Sequence, residues 1–330
     1  APGVAAARSP RVLVLSHAPC LADILGLDMT PGAAVGLLGI DLSTRQRVRV
    51  NGRIGASDSG GLAVTVDQAF GNCPQYIQAR DFDAPRRTRP PRAARTDVGS
   101  KAIRHIIARA DTFFIASRGP RLARGDDAGI DVSHRGGRPG FLGMNADGSL
   151  SFPDFRGNRF FNTLGNIEAD GRVGLFVPDF ATGAAVLVTG RATIDWMSDR
   201  VGAFDGAERI VDVTCDEVWH VADALPATAR LVEVDQPDLP PSHQPGPSPT
   251  VESHTPASGP TAHTAQAAMT IYPSIDGLLI SPIASQLPLL YGEQATSESG
   301  EVLASASDLM IGQPAPLQPF QVYSLEILPS

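Results

Sequence analysis

A mainly β fold with short helices, in which an incomplete first barrel precedes a complete second one, is what this sequence predicts. Three observations lead there. Glycine (33) and proline (28) are abundant among the 330 residues while aromatic residues make up 6%, a balance that favours short strands joined by turns over long helices. Apolar and polar residues alternate with a period of two at several places, as half-buried strands require. One hairpin pattern, Val35 to Ile54, returns at Val173 to Ala192.

The length leaves room for two modest domains, and an apolar fraction of 42% suits a folded core over at least part of the chain. A net charge of −8 argues against a general affinity for nucleic acid or for an anionic membrane surface, so any anion site has to be local. The cysteines, Cys20, Cys73 and Cys215, lie far apart with no CxxC pair, which speaks against a disulfide framework or a structural zinc site and fits a reducing cytosol. The late apolar run Gly277 to Leu290 is short for a bilayer span and is broken by Pro282 and Pro288. Arg11 to Leu15 lacks the order of a signal peptide. A cytoplasmic protein is the expectation.

Taken in order, the first firm strands are Val35 to Leu42 and Arg47 to Ile54, joined by Ser43 to Gln46. In the second strand Val48, Val50, Gly52 and Ile54 share one face, and Arg47, Arg49, Asn51 and Arg53 the other, which reads as one buried and one solvated face. Gly60 to Val66 reads as a third strand, and Asn72 to Ile77 as a turn opening a short helix. These make residues 1–80 the incomplete first unit. Residues 81–96, with Arg86, Arg87, Arg89, Arg92 and Arg95 among prolines, read as a solvated linker rather than a phosphate-binding patch.

The second unit spans 97–235. A helix is expected from Asp97 to Ala110, capped by Thr96 or Asp97, with Ile103, Ile106 and Ile107 on its inner face. Thr112 to Ser117 is a strand of the fully buried type, followed by a loop rich in glycine and arginine. Pro139 to Met144 and Ser149 to Phe152 form a hairpin around Asn145-Ala-Asp-Gly148. Gly157 to Ile167 is a turn leading into a short helix, and the strands Val173 to Phe180, Ala184 to Trp196, Glu208 to Val221 and Ala229 to Val234 complete the barrel. Residues 236–330, rich in Pro, Ser and Thr, are expected to be disordered because they bury too little apolar surface to offset their chain entropy.

The two hairpins align without a gap, and Val, Gly, Leu, Asp, Thr, Val, Val, Gly and Arg agree at matching positions. Agreement in both turn and face suggests a repeated unit rather than chance likeness. Asp41 and Asp179 fall at equivalent strand ends and read as turn residues, not as an acid pair. Trp196 and Cys73 read as core residues.

Candidate chemistry concentrates between Asp131 and Ile167. Arg156, Asn158, Arg159, Asn162 and Thr163 share one turn that leads into a helix, whose free N–H groups attract anions. Ser133, His134, Arg135 and Arg138 precede the hairpin. Charge-assisted donors of this kind suit a phosphate group, and strand backbone beside them suits a flat ring, so the set reads as a flavin mononucleotide (FMN) site. Each residue alone also has an ordinary reading: Arg159 as a surface arginine, His134 as a hydrogen-bonded turn histidine. No Walker loop, GxGxxG, HExxH or GxSxG motif occurs, and no metal ligand set is expected.

The runs Ala110 to Ser117, Asp131 to Phe141, Phe152 to Asn158, Asn162 to Asn166, and Val173-Gly-Leu to Gly190-Arg-Ala192 together resemble the pyridoxamine 5′-phosphate oxidase-like, FMN-binding split-barrel superfamily. Arg49-Val-Asn-Gly-Arg53 and Gly71 to Ile77 are similar to the leading half of its longer bacterial members. The resemblance implies a six-stranded Greek-key barrel and a homodimer with FMN at the subunit interface. Carried over, the phosphate-holding positions fall on Asn162 and Thr163, with Arg159 nearby, and on the strand Gly137 to Leu142, which includes Arg138 and Phe141. Asn162-Thr163 stands where the oxidase itself has an Arg-Lys pair, and nothing matches its substrate-binding C-terminal segment. The functional expectation is an FMN-dependent oxidoreductase acting on a small redox substrate, with NAD(P)H as a candidate donor. The alternatives are a non-catalytic module for flavin, deazaflavin F420 or haem, and a degenerate barrel serving as a scaffold.

Overall fold

A computed structural model describes residues 5–9, 11–15, 31–55, 62–71, 73–83, 91–119, 130–157, 161–232, 267–272, 295–296, 302–304 and 321–327. The elements are β1 (Ala5–Ser9), β2 (Val12–Leu15), β3 (Ala34–Asp41), β4 (Gln46–Ile54), β5 (Leu62–Gly71), β6 (Arg80–Phe82), β7 (Arg92–Thr96), α1 (Lys101–Arg109), β8 (Thr112–Arg118), β9 (Ile130–Gly136), β10 (Gly143–Met144) and β11 (Leu150–Phe155). They continue with α2 (Asn162–Ala169), β12 (Arg172–Asp179), β13 (Ala184–Asp195), β14 (Ala207–Ala222), β15 (Ala229–Leu231), β16 (Ala267–Tyr272), β17 (Ala295–Thr296), β18 (Val302–Ala304) and β19 (Gln321–Ile327). The fold is mainly β with two short α-helices, and no described helix is long and apolar enough to cross a membrane.

Two antiparallel sheets organise these elements. The first runs β1-β2-β5-β4-β3-β19-β16; the second runs β10-β11-β14-β13-β12-β8-β9, with β7 added beside β14. The inner face of the second sheet closes on α1 and α2: Phe113 and Ile115 of β8, Val173, Leu175 and Val177 of β12, and Val186 and Val188 of β13 meet Ile103, Ile106, Ile107, Leu164 and Ile167. This is why α1 forms where its isoleucines repeat at helical spacing. Its N-cap is Ser100, which makes no side-chain cap bond, while Asp97 accepts from the Gly99 N–H at 2.7 Å, so neither expected cap residue caps the helix.

The repeated hairpins share their geometry as well as their sequence. The Asp41 carboxylate accepts from the Ser43 N–H (2.8 Å) and the Thr44 hydroxyl (2.5 Å), and Asp179 accepts from the Ala181 N–H (3.1 Å) and the Thr182 hydroxyl (2.7 Å). Both are turn residues, as the sequence indicates. Arg45 and Gly183, at matching turn positions, both have positive φ, 59° and 81°. The register shifts beside Gly52 where β4 pairs with β5, and beside Gly190 where β13 pairs with β14.

The faces of the hairpins explain how the units meet. Val35, Leu37, Val48, Val50 and Ile54 turn into the first unit's own core, just as Val173, Leu175, Val186, Val188 and Ala192 turn into the second's. The opposite faces meet each other: Leu38, Ile40 and Leu42 join Phe176, Phe180, Ala185 and Leu187 in one shared cluster. Leu38 aligns with Phe176 and Leu42 with Phe180, so matching positions of the two hairpins share one apolar cluster.

Several expectations are corrected. Residues 131–136, expected in a loop, form strand β9, which pairs with β8 from Thr112↔Gly136 to Arg118↔Ile130. The turn at Gln75 and Tyr76 opens no helix; the chain runs on extended into β6. The segment 81–96 holds β7, paired with β14, and most of β6, paired with β15; Arg86, Arg87 and Arg89 lie outside the described residues. Trp196 is not core, being 45% exposed, and Cys73 is exposed. Within 236–330, expected to be disordered, β19 pairs with β3 and with β16, and β17 pairs with β18; the remainder lies outside the described residues.

Candidate functional site

Strand β9 ends its sheet, so one of its edges has no strand partner among the described residues. Beside it a cleft enclosing about 920 Å³, part of it open to solvent, lies between the two units. β9 contributes Ser133, His134 and Arg135; α2 contributes Asn162, Thr163 and Leu164; β11 contributes Pro153, Asp154 and Phe155. The first unit supplies Arg47 and Arg49 from β4 and Cys73, Gln75 and Tyr76 from the turn after β5.

Arg47 and Arg49 reach the cleft for a simple reason. In the β3–β4 ladder Leu38 faces Arg49 and Ile40 faces Arg47, and directly paired residues project to the same side. The side that carries Leu38 and Ile40 onto the second unit therefore carries the two arginines with it. The alternation along β4 discloses the polarity of that face, but not what covers it: Arg49 and Asn51 are buried rather than solvated.

The arginines differ in their partners. Arg49 donates to both oxygens of Asp131, at 3.1 and 3.0 Å. Arg135 donates to Asp154 at 2.5 Å. Arg47 makes no ion pair with any described residue, and its Nε is buried without a hydrogen bond. Burial, followed by repulsion from Arg49, lowers the Arg47 pKa to about 10. It remains a cation at neutral pH, but one that a bound anion would stabilise.

His134 is 5% exposed, and neither ring nitrogen has a partner. Burial above all, then the charges of Arg47, Arg135, Arg80 and Arg49, push its pKa well below the ordinary value, so the ring is neutral. It packs edge-on against Phe114, with ring centroids 5.7 Å apart. Behind it, the Ser133 and Thr163 hydroxyls lie 2.8 Å apart, and Thr163 also reaches Asp131 at 3.4 Å. Helix α2 starts at this wall from Phe161, a non-glycine residue at φ 54°, with no side-chain cap, which leaves first-turn N–H groups free of side-chain acceptors.

Tyr76, Phe155 and Phe161 add aromatic rings to the cleft wall. Tyr76 and Phe155 lie 5.4 Å apart, and the Tyr76 hydroxyl donates to the Arg156 carbonyl at 2.7 Å. Phe161 and Trp196 lie 6.4 Å apart, with the Arg209 guanidinium 5.1 and 5.0 Å from their centroids.

Of the residues expected to hold a cofactor, Ser133, His134, Arg135, Phe141, Asn162 and Thr163 all line this cleft. Arg138 does not; it is exposed on the turn before β10 and is absent from the cleft wall. Asn158 and Arg159 lie outside the described residues. Arg47, Arg49, Cys73, Tyr76, Asp154 and Glu208 are among the cleft residues that sequence reasoning missed, and the one signal for the two arginines is the run of arginines on alternate positions of β4.

No protein-family model and no curated protein matches the chain. Several solved structures are similar to part of the chain. A variant of HupZ from Group A Streptococcus is similar at 11% identity and a TM-score of 0.29, over 37% of this chain and 98% of that one. A putative pyridoxamine 5′-phosphate oxidase from Lactobacillus delbrueckii is similar at 14% identity and a TM-score of 0.28, over 36% and 91%. A FAD-binding protein from Mesorhizobium loti is similar at 12% identity and a TM-score of 0.26, over 40% and 96%.

Proposed function

We propose that the protein binds FMN in the cleft between its two units and uses the flavin as an oxidoreductase on a small-molecule substrate. The observation that carries this reading is the charge and donor set of the cleft. Arg47 has no carboxylate partner among the described residues, and His134, Ser133, Thr163 and the uncapped start of α2 stand on the same walls. A phosphate dianion needs such donors, and burial makes their charge-assisted bonds stronger than they would be in water. The rings of Tyr76, Phe155 and Phe161 offer flat apolar surface to a planar ring system. The donor set therefore fits FMN.

When bound, the flavin supplies the hydride or electron transfer, while the protein supplies binding, orientation and electrostatics. Arg47 holds positive potential near the cofactor's anionic end. His134, neutral and lacking partners, can donate from one ring nitrogen and accept at the other. The unit interface limits water on the β9 side.

The test is an absorption spectrum of the purified full-length chain after incubation with FMN and desalting. Retained flavin bands, bleached by NAD(P)H without oxygen, support the oxidoreductase. Flavin retained but unaffected by any nicotinamide donor leaves a flavin-binding module. A Soret band after incubation with haem, with no flavin uptake, replaces FMN by haem, for which the unpartnered His134 would be the ligand to test. Uptake of neither overturns the reading.

A further inference from the structure

We propose that the anionic group of the ligand is held by Arg47 of the N-terminal unit, so that each chain builds one complete site by itself and needs no second subunit to finish it. This rests on the FMN reading of the cleft and adds to it which residue holds the phosphate and how many sites a chain carries.

The argument starts from the way the units meet. Leu38 and Leu42 of one hairpin and their sequence equivalents Phe176 and Phe180 of the other share a single cluster, so the interface within this chain is built as an interface between two identical subunits would be. Two equivalent surfaces facing each other create two equivalent rims. The rim beside β9 receives Arg47 and Arg49 from β4. The matching positions on β13 are Ala185 and Leu187, which are buried in the shared apolar cluster. Arg47 and Arg49 thus have no charged counterparts at the matching positions of β13.

Arg47 is singled out among the cleft arginines. Asp131 neutralises Arg49 and Asp154 neutralises Arg135, whereas no described carboxylate pairs with Arg47. A half-buried cation with no counter-ion carries part of the cost of desolvation, and its surroundings lower its pKa. A ligand dianion removes that cost. Of the groups that act on its charge, only the Cys73 thiol opposes the lowering, and a thiol is too weak a partner to replace a counter-ion.

The experiment compares FMN with riboflavin, which lacks the phosphate, in fluorescence titrations of the full-length protein and of Arg47→Ala and Arg47→Lys. The wild type is expected to prefer FMN, with saturation at one flavin per chain at every protein concentration. Arg47→Ala is expected to lose about ten- to a hundredfold in FMN affinity while riboflavin affinity stays within about twofold. Arg47→Lys should recover part of the preference, because it keeps the charge but not the planar fork. A urea melt of each variant checks folding, and loss of Arg47 should not lower stability since it breaks no ion pair. Unchanged FMN preference in a folded Arg47→Ala overturns the inference and leaves the FMN reading standing. So does saturation at one flavin per two chains, or an affinity that rises with self-association. Failure of the wild type to bind either flavin overturns both.

Discussion

Arg49 and Asp131 join the two units through a buried ion pair in which one guanidinium nitrogen donates to both carboxylate oxygens, at 3.1 and 3.0 Å, with side chains 9% and 5% exposed. Its position, between β4 of one unit and β9 of the other, makes it the polar counterpart of the shared apolar cluster. Desolvating two charges is expensive and the pair recovers that cost only while it is intact. Asp131→Asn keeps the shape and removes the charge, leaving Arg49 buried without a counter-ion. The expected destabilisation is about 3–5 kcal/mol in urea unfolding, and Arg49→Leu combined with Asp131→Leu should cost less than the sum of the two single changes. Strict additivity would show that the two side chains do not meet.

The glycines opposite the two register shifts give a second expectation, about stability alone. A Cβ on Gly52 would lie 2.1 Å from the Thr65 carbonyl oxygen, and one on Gly190 would lie 2.1 Å from that of Thr214. Both obstacles are backbone in the neighbouring strand and cannot swing aside. Gly52→Ala and Gly190→Ala should each cost about 1–3 kcal/mol or more through overpacking. At Gly165, in α2, a Cβ would have nothing within 4 Å of it, and Gly165→Ala should be neutral or stabilise by up to about 1 kcal/mol through helix propensity. Equal effects at all three sites would contradict the close strand approach at the register shifts.

These features divide into those that local pattern discloses and those that only packing creates. The β3–β4 and β12–β13 hairpins, β8 and α1 are legible because each has an apolar period of its own, and the Asp-x-x-Thr turns are legible from their repetition. Strand β9 is not. Its core reads Asp131-Val-Ser-His-Arg135, with a single aliphatic residue, because Asp131, Ser133 and Arg135 meet ion pairs and hydroxyls while only Val132 and His134 turn to apolar neighbours. Arg47 and Arg49 escape a sequence reading for the complementary reason: a polar strand face looks the same in sequence whether water or a second unit covers it. Six of the nine residues read as cofactor ligands do come together, while exposed Arg138 shows that proximity in sequence to a turn does not place a side chain in the site.

His134 carries a pH dependence. In the unfolded chain its pKa is about 6.5; in the folded protein burial and four arginines hold it well below the ordinary value. The unfolded state therefore binds the proton first, so the neutral ring favours folding fully above about pH 6.5, and that contribution is lost as pH falls below it towards the folded pKa. The slope from this one group is about 1.4 kcal/mol per pH unit inside that window. His134→Gln cannot take up a proton, so the stability difference between wild type and variant should be flat above about pH 7 and should shrink as pH drops to about 5.5. A difference that stays constant over the whole range would mean the imidazole is not held neutral.

Cysteine labelling tests the cleft without relying on absorbance of the cofactor. Cys73 is exposed and lines the cleft wall beside Arg47. Cys215 is half-buried, and burial together with nearby Asp216 and Asp147 raises its pKa to about 11, so only about one thiol in a thousand or fewer is thiolate near neutral pH. In a Cys20→Ser background, a small disulfide reagent should therefore modify one thiol quickly, and Cys73→Ser should abolish that phase while Cys215 reacts only after denaturation. Saturating FMN should slow the fast phase at least severalfold, because a phosphate held by Arg47 would cover the sulfur, and riboflavin should protect less. A Cys73 rate that is the same with and without FMN, under conditions where flavin is demonstrably bound, would place the flavin outside this cleft.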